Sequence, residues 1–175
     1  MRTLLAVAAL ALFALPASAL ERGSDGYFHT GDGIRYKKIA FINIKVYSIE
    51  HEMKDLPAQK SKQAVIDANV DKKLQWKMLR TVDAEKIRKA LREAYSMNGY
   101  NDNAKIAPFV DSITKELKSG DSVTISYDAA KKSTTITSPA GSATVPGEDF
   151  MKATWSIWFG KIDQKDLGNE LLKDF

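Results

Sequence analysis

The sequence predicts an α+β fold, a mostly antiparallel sheet with a layer of helices on one face. Three observations carry that expectation. Several short segments alternate apolar and polar residues with the period of a strand, others repeat apolar residues with the period of a helix, and the two kinds are grouped rather than interleaved. The expected order, β-β-α-α-β-β-β-α, favours hairpins and a one-sided helical layer over a parallel sheet of crossover units.

At the start, Met1 and Arg2 form a short positive region. Leu4 to Leu15 is an apolar run, and Pro16 with Ala17-Ser18-Ala19 gives a helix break and a small-x-small cleavage site. Residues 1–19 are expected to be a signal peptide, and residues 20–175 a single domain exported to the periplasm or beyond it. The apolar run is shorter than the about 20 residues that cross a bilayer, and no later stretch approaches it, so no transmembrane segment is expected.

From Gly33 to Ile49, β-branched and aromatic residues predict one long strand or two short ones. Ile42, Ile44 and Val46 fall on one face, Phe41, Tyr47 and Ile49 on the other. Lys54 to Asn69 reads as a connection with a brief helix or strand around Ala64, Val65 and Ile66. Lys73 to Val82 alternates, placing Leu74, Trp76, Met78 and Arg80 on one face. Asp83 is positioned to cap a helix whose stripe is Ile87, Ala90, Leu91, Ala94 and Tyr95, with Asn98-Gly99 as its stop. A second helix is expected from Asn103 to Leu117, burying Ile106, Phe109, Val110, Ile113 and Leu117, with Pro108 near its first turn. The segments SVTISYD, STTITS and SATV then predict an antiparallel meander. Pro146-Gly147-Glu148-Asp149 opens a helix with the aromatic stripe Phe150, Trp155 and Trp158, Gly160 closes it, and a short helix follows from Asp166.

The absence of cysteine excludes disulfides, thiolate metal sites and a cysteine nucleophile. His29 and His51 are too isolated to suggest a metal site and read as surface residues; no metal or cofactor is expected. The net charge of +4 is mild. Lys37-Lys38, Lys72-Lys73 and Lys131-Lys132 read as solvated pairs at strand ends or turns, so no nucleic-acid partner is expected. Gly31-Asp32-Gly33 precedes a strand, whereas a phosphate loop leads into a helix, and no Gly-x-Ser-x-Gly elbow marks a serine hydrolase.

Four segments in order carry a family resemblance: Gly31-Asp32-Gly33-Ile34-Arg35, Lys45-Val46-Tyr47, the stretch from Met78 to Ile87, and Phe150 through Gly160. Together the chain resembles the chalcone isomerase-like family, in its bacterial exported branch. That resemblance implies an antiparallel sheet with helices on one face, an open-faced β-sandwich, enclosing a ligand cleft. Plant members cyclise a chalcone with a strand arginine, a tyrosine and an asparagine on a helix, and two hydroxyl side chains. The arginine falls on Arg35; the tyrosine position falls nearest Asp83 and the asparagine position nearest Ala90, so both are absent. The first hydroxyl position falls within Ile42 to Tyr47, which holds no threonine, while the last falls near Thr154 or Trp155, where Thr154 is the candidate hydroxyl.

What remains resembles the noncatalytic members that bind fatty acids through the same arginine. Arg35, Tyr47, Arg80 and Thr154 are the candidate ligand contacts, and the expected partner is a small amphipathic molecule or carboxylate such as a fatty acid. Two readings stand for Arg35 and Arg80: a cleft anchor for an anion, or an internal ion pair with Asp83, Glu85 or Asp111. Trp76, Trp155, Trp158, Phe150 and Tyr95 fit core packing better than a cleft lining. An isomerase of chalcone isomerase type, and a protein-interaction module without a small ligand, are the alternatives.

Overall fold

The computed structural model describes residues 20–175, and the expected signal peptide lies outside them. The elements are β1 (Phe28–Ile39), β2 (Ile42–Met53), α1 (Lys62–Asp67), β3 (Lys72–Met78), α2 (Ala84–Met97), α3 (Asn103–Asp111), β4 (Ser122–Asp128), β5 (Ser133–Ser138), β6 (Gly141–Pro146), α4 (Glu148–Phe159) and α5 (Leu167–Glu170). The strands form one six-stranded sheet in chain order, each pair antiparallel. The α+β class and the one-sided sheet are as expected.

Alternation decides which face is covered. Leu74, Trp76, Val123, Ile125, Ile136 and Val145 are buried, while their neighbours Gln75, Lys77, Thr124, Ser126, Thr135 and Thr144 leave the other face polar and open. α4 is the centre of the helical layer: its Phe150, Trp155 and Trp158 are buried, and α1, α2 and α5 all pack on it.

The stretch read as one long strand or two short ones is the hairpin β1–β2, turning through Ala40 and Phe41. The brief helix in the following connection is α1, whose Ser61 hydroxyl accepts from Ala64 N–H at 3.1 Å. Asp83 holds the N-cap position of α2, but its side chain makes no capping bond and pairs with Lys86 at 2.8 Å. The helix expected to reach Leu117 stops at Asp111. Beyond it Thr114 N–H donates to Ala140 O at 3.1 Å, and Leu117 and Val82 exchange backbone bonds of 2.9 and 3.0 Å, so Ile113 and Leu117 are buried without being helical.

His51 and Lys72 both depart from the surface reading. His51 is fully buried: Trp155 Nε1–H donates to its Nε2 at 3.0 Å, which puts the proton of the neutral ring on Nδ1, facing Thr30 Oγ1 at 2.6 Å. Burial holds its pKa well below the ordinary value, so the ring stays neutral. Lys72 is also fully buried, unlike Lys73, because its Nζ donates to the carbonyls of Val65 (2.6 Å), Ile66 (3.3 Å) and Ala68 (2.9 Å) at the end of α1. Burial pulls its pKa down to about 7, against the pull of Asp67.

The glycine pair that precedes Arg35 serves packing. A Cβ at Gly31 would strike the backbone of Glu170 and Leu171, and one at Gly33 would stand 2.5 Å from Glu170 Oε2. α5 therefore lies directly on β1, where Thr30 Oγ1 also donates to Leu171 O at 2.8 Å.

Candidate functional site

A cleft of about 540 Å³ opens between the β1–β3 end of the sheet and α2. A β-bulge shapes its floor. Tyr36 pairs with Lys45 and Arg35 with Tyr47, leaving Val46 as the extra residue. The bulge reverses side-chain parity, so Ile44, Val46 and Tyr47, read as lying on two faces, all line one cavity. Trp76 and Met78 of β3 continue the floor, and Ile157 and Trp158 of α4 form a wall. The roof is α2, whose Ala90 and Ala94 present methyl groups where longer side chains would fill the space. This combination of apolar walls, few polar groups and several hundred Å³ is that of a small-molecule pocket.

Polar groups cluster at one end. Tyr47 stacks on Trp76 with ring centroids 4.9 Å apart, and its hydroxyl accepts from Trp158 Nε1–H at 3.0 Å. Burial pushes the Tyr47 hydroxyl up in pKa, against the Trp158 hydrogen bond and the nearby Arg35 charge, which keeps it a neutral phenol. Trp76 is 3% exposed, and its indole N–H has no partner among the described residues. Thr134 Oγ1 is likewise unpaired, but it does not line the cleft. A buried donor left unmade costs about 1–3 kcal/mol.

Arg35 combines the two readings open for it. It lines the cleft, and it is also ion-paired, with Asp163 rather than the partners expected: Nη2 lies 2.6 Å from Asp163 Oδ1, while Nη1 donates to Tyr36 O at 2.6 Å. Asp163 is 58% exposed, so the pair sits at the rim and a second anion can share the guanidinium. Arg80 does not continue the inward face of β3. The strand ends at Met78, and Arg80 stands exposed at the cleft mouth. Lys37, Lys86 and Lys161 line the same cleft, and together with Arg35 and Arg80 these cations outnumber its carboxylates Asp83, Glu93 and Asp163, which leaves the mouth with a cationic excess.

Thr154 is displaced from the expected site. It is fully buried on the core side of α4, donating to Phe150 O at 2.8 Å and lying 2.8 Å from the Tyr95 hydroxyl, and it is not among the cleft residues. Of the aromatic residues assigned to core, Trp155, Phe150 and Tyr95 are core, whereas Trp76 and Trp158 are buried and line the cleft as well. The Trp76 donor, the small residues of α2 and the Asp163 partner of Arg35 were not singled out as site features from the sequence. Asp163 carries no signal of its own; the alanines within an apolar stripe were the one legible hint.

The chalcone isomerase-like family model matches residues 18–173. The chain belongs to the chalcone isomerase-like family. The two positions mapped to the plant enzymes' tyrosine and asparagine, Asp83 and Ala90, both line the cleft of this family member, where they present a carboxylate and a methyl group. The crystal structure of a fatty-acid binding protein from Arabidopsis thaliana matches with a TM-score of 0.69 over 87% of this chain and 90% of its own, at 12% sequence identity. At that identity the likeness is one of fold. No curated protein matches the chain.

Proposed function

We propose that this protein is an exported, noncatalytic member of the chalcone isomerase-like family that binds a small amphipathic carboxylate, such as a fatty acid, in the cleft between α2 and the sheet. The carrying observation is the cleft itself, apolar inside and cationic at its mouth, with Arg35 at the junction. An acyl chain would lie along Val46, Met78, Ala90 and Ala94. Its carboxylate would meet Arg35 and the rim cations, and the unpartnered Trp76 N–H is the further donor within the cavity.

Noncatalysis is supported by what Asp83 and Ala90 lack. Intramolecular cyclisation needs donors aimed at the developing enolate, and one missing donor costs about 100 to 1000-fold. Export is supported by the tripartite leader in residues 1–19. Mass spectrometry of lipids extracted from the purified protein, wild type beside Arg35→Ala, tests the binding reading. A carboxylate lipid in the wild type that is depleted in the variant is expected. No ligand in either, with no thermal shift on adding fatty acids, would remove it. An absorbance assay with a chalcone should give the uncatalysed rate, and N-terminal sequencing after expression with export should begin at Leu20.

A further inference from the structure

The β1–β2 hairpin ends in Ile39-Ala40-Phe41-Ile42, a tip that the other described residues leave uncovered. Ile39 is 53% exposed, Phe41 100% and Ile42 68%. Scattered apolar residues on a surface are ordinary, but three at one protruding end form a patch. The turn itself is made without glycine or asparagine: Ala40 occupies φ 52, the left-handed region those residues favour in two-residue hairpins. Exposed Lys37, Lys38 and Lys45 stand on the two strands just behind the tip, and no acidic residue occurs from Ile34 to Ile49.

We propose that this hairpin tip docks the protein on an anionic lipid bilayer. Ile39, Phe41 and Ile42 enter the boundary between headgroups and acyl chains, while Lys37, Lys38 and Lys45 contact the headgroup phosphates. Lysines on an edge strand also discourage sheet-to-sheet pairing, but that role calls for no apolar tip. Ile39 and Ile44 border the cleft as well, so docking would bring its mouth to the lipid surface. The docking proposal stands whatever occupies the cleft.

Sedimentation of the purified protein with phosphatidylcholine vesicles, with and without phosphatidylglycerol, tests it. The protein should pellet with the anionic vesicles and be released by salt. Phe41→Ser with Ile42→Ser should abolish pelleting at an unchanged thermal midpoint, since neither side chain is in the core. Each Lys→Gln change at Lys37, Lys38 or Lys45 should weaken binding about fivefold. Absence of pelleting, or equal pelleting of the Ser variant, would overturn the proposal. So would a concentration-dependent dimer, lost in the same variant, in place of vesicle binding, since the tip would then meet a second copy.

Discussion

Where Tyr95 of α2 meets α4, each polar atom has a partner. Its hydroxyl donates to Thr154 Oγ1 at 2.8 Å, Thr154 donates to Phe150 O, and the Phe150 ring stacks on Tyr95 at 5.6 Å. On the neighbouring face of the same helix, Ala90 and Ala94 look across open space to β2 and β3, and Trp76 keeps an N–H that no group among the described residues receives. One region is closed by large side chains that satisfy one another; the other is held open by small ones and left with a donor and a cation to offer. Substitutions in the first should therefore register as stability, and substitutions in the second as binding.

The largest expected effect lies in the closed region. Trp155→Ala leaves a large cavity and removes the donor to His51 Nε2, and should lower unfolding free energy by about 3–5 kcal/mol in urea titrations. A loss below about 1 kcal/mol, outside that range for a buried tryptophan, would break the contrast. At the open end, Arg35→Ala should weaken fatty-acid affinity about 30-fold or more by calorimetric titration. The same change should cost about 1 kcal/mol or less in stability, because its Asp163 partner is largely exposed.

Lys72→Met returns to the closed region. It orphans the carbonyls of Val65, Ile66 and Ala68, and should cost about 1.5–3 kcal/mol. The pH dependence has a definite sign. Burial draws the folded-state pKa from 10.5 down to about 7, so between those values the unfolded chain binds the additional proton and stability rises as pH is raised. Urea midpoints near pH 7 and near pH 9 should show this rise in the wild type and not in Lys72→Met. The smallest effect is expected from Trp76→Phe, which keeps the ring and deletes the unpartnered N–H. Ligand affinity should fall about fivefold to tenfold, while the stability of the ligand-free protein should be unchanged or slightly higher. A clear loss of stability in that variant would mean the indole belongs to the closed region.

The same contrast separates what the sequence reveals from what it conceals. The β4–β6 meander was legible because the alternation of Val123, Ile125 and Tyr127 and the Pro139-Ala140-Gly141 turn are local signals. The end of α3 was not, because it is decided by bonds to Val82 and Ala140, distant in sequence. Lys72 and Lys73 are identical in type and adjacent; strand parity sets Lys72 on the inward face with Leu74 and Trp76, and the carbonyls at the end of α1 that receive its ammonium there lie outside any local signal. His51 looked like a surface residue because Trp155, which makes it a core residue, lies 104 positions away.

At the site, Arg35 was legible through the glycines before it, and Tyr47 and Arg80 do line the same cleft. Thr154 was not separable from a cleft residue, since helix periodicity does not say which side of α4 meets a cavity. Trp76 and Trp155 carry the same side chain, and a single unpaired hydrogen-bond donor distinguishes them. The Val46 bulge hid the true lining, because strand alternation assigns Ile44 and Tyr47 to opposite faces.

On the proposed function, the space under Ala90 and Ala94 is a binding site and not a packing defect. Thermal unfolding of wild type and of Ala94→Leu, each with and without palmitate, tests this most directly. Palmitate should raise the midpoint of the wild type, as any ligand of the folded state must, and leave that of the folded, cleft-filled variant unchanged. An equal rise in both proteins, or no rise in either, would contradict it.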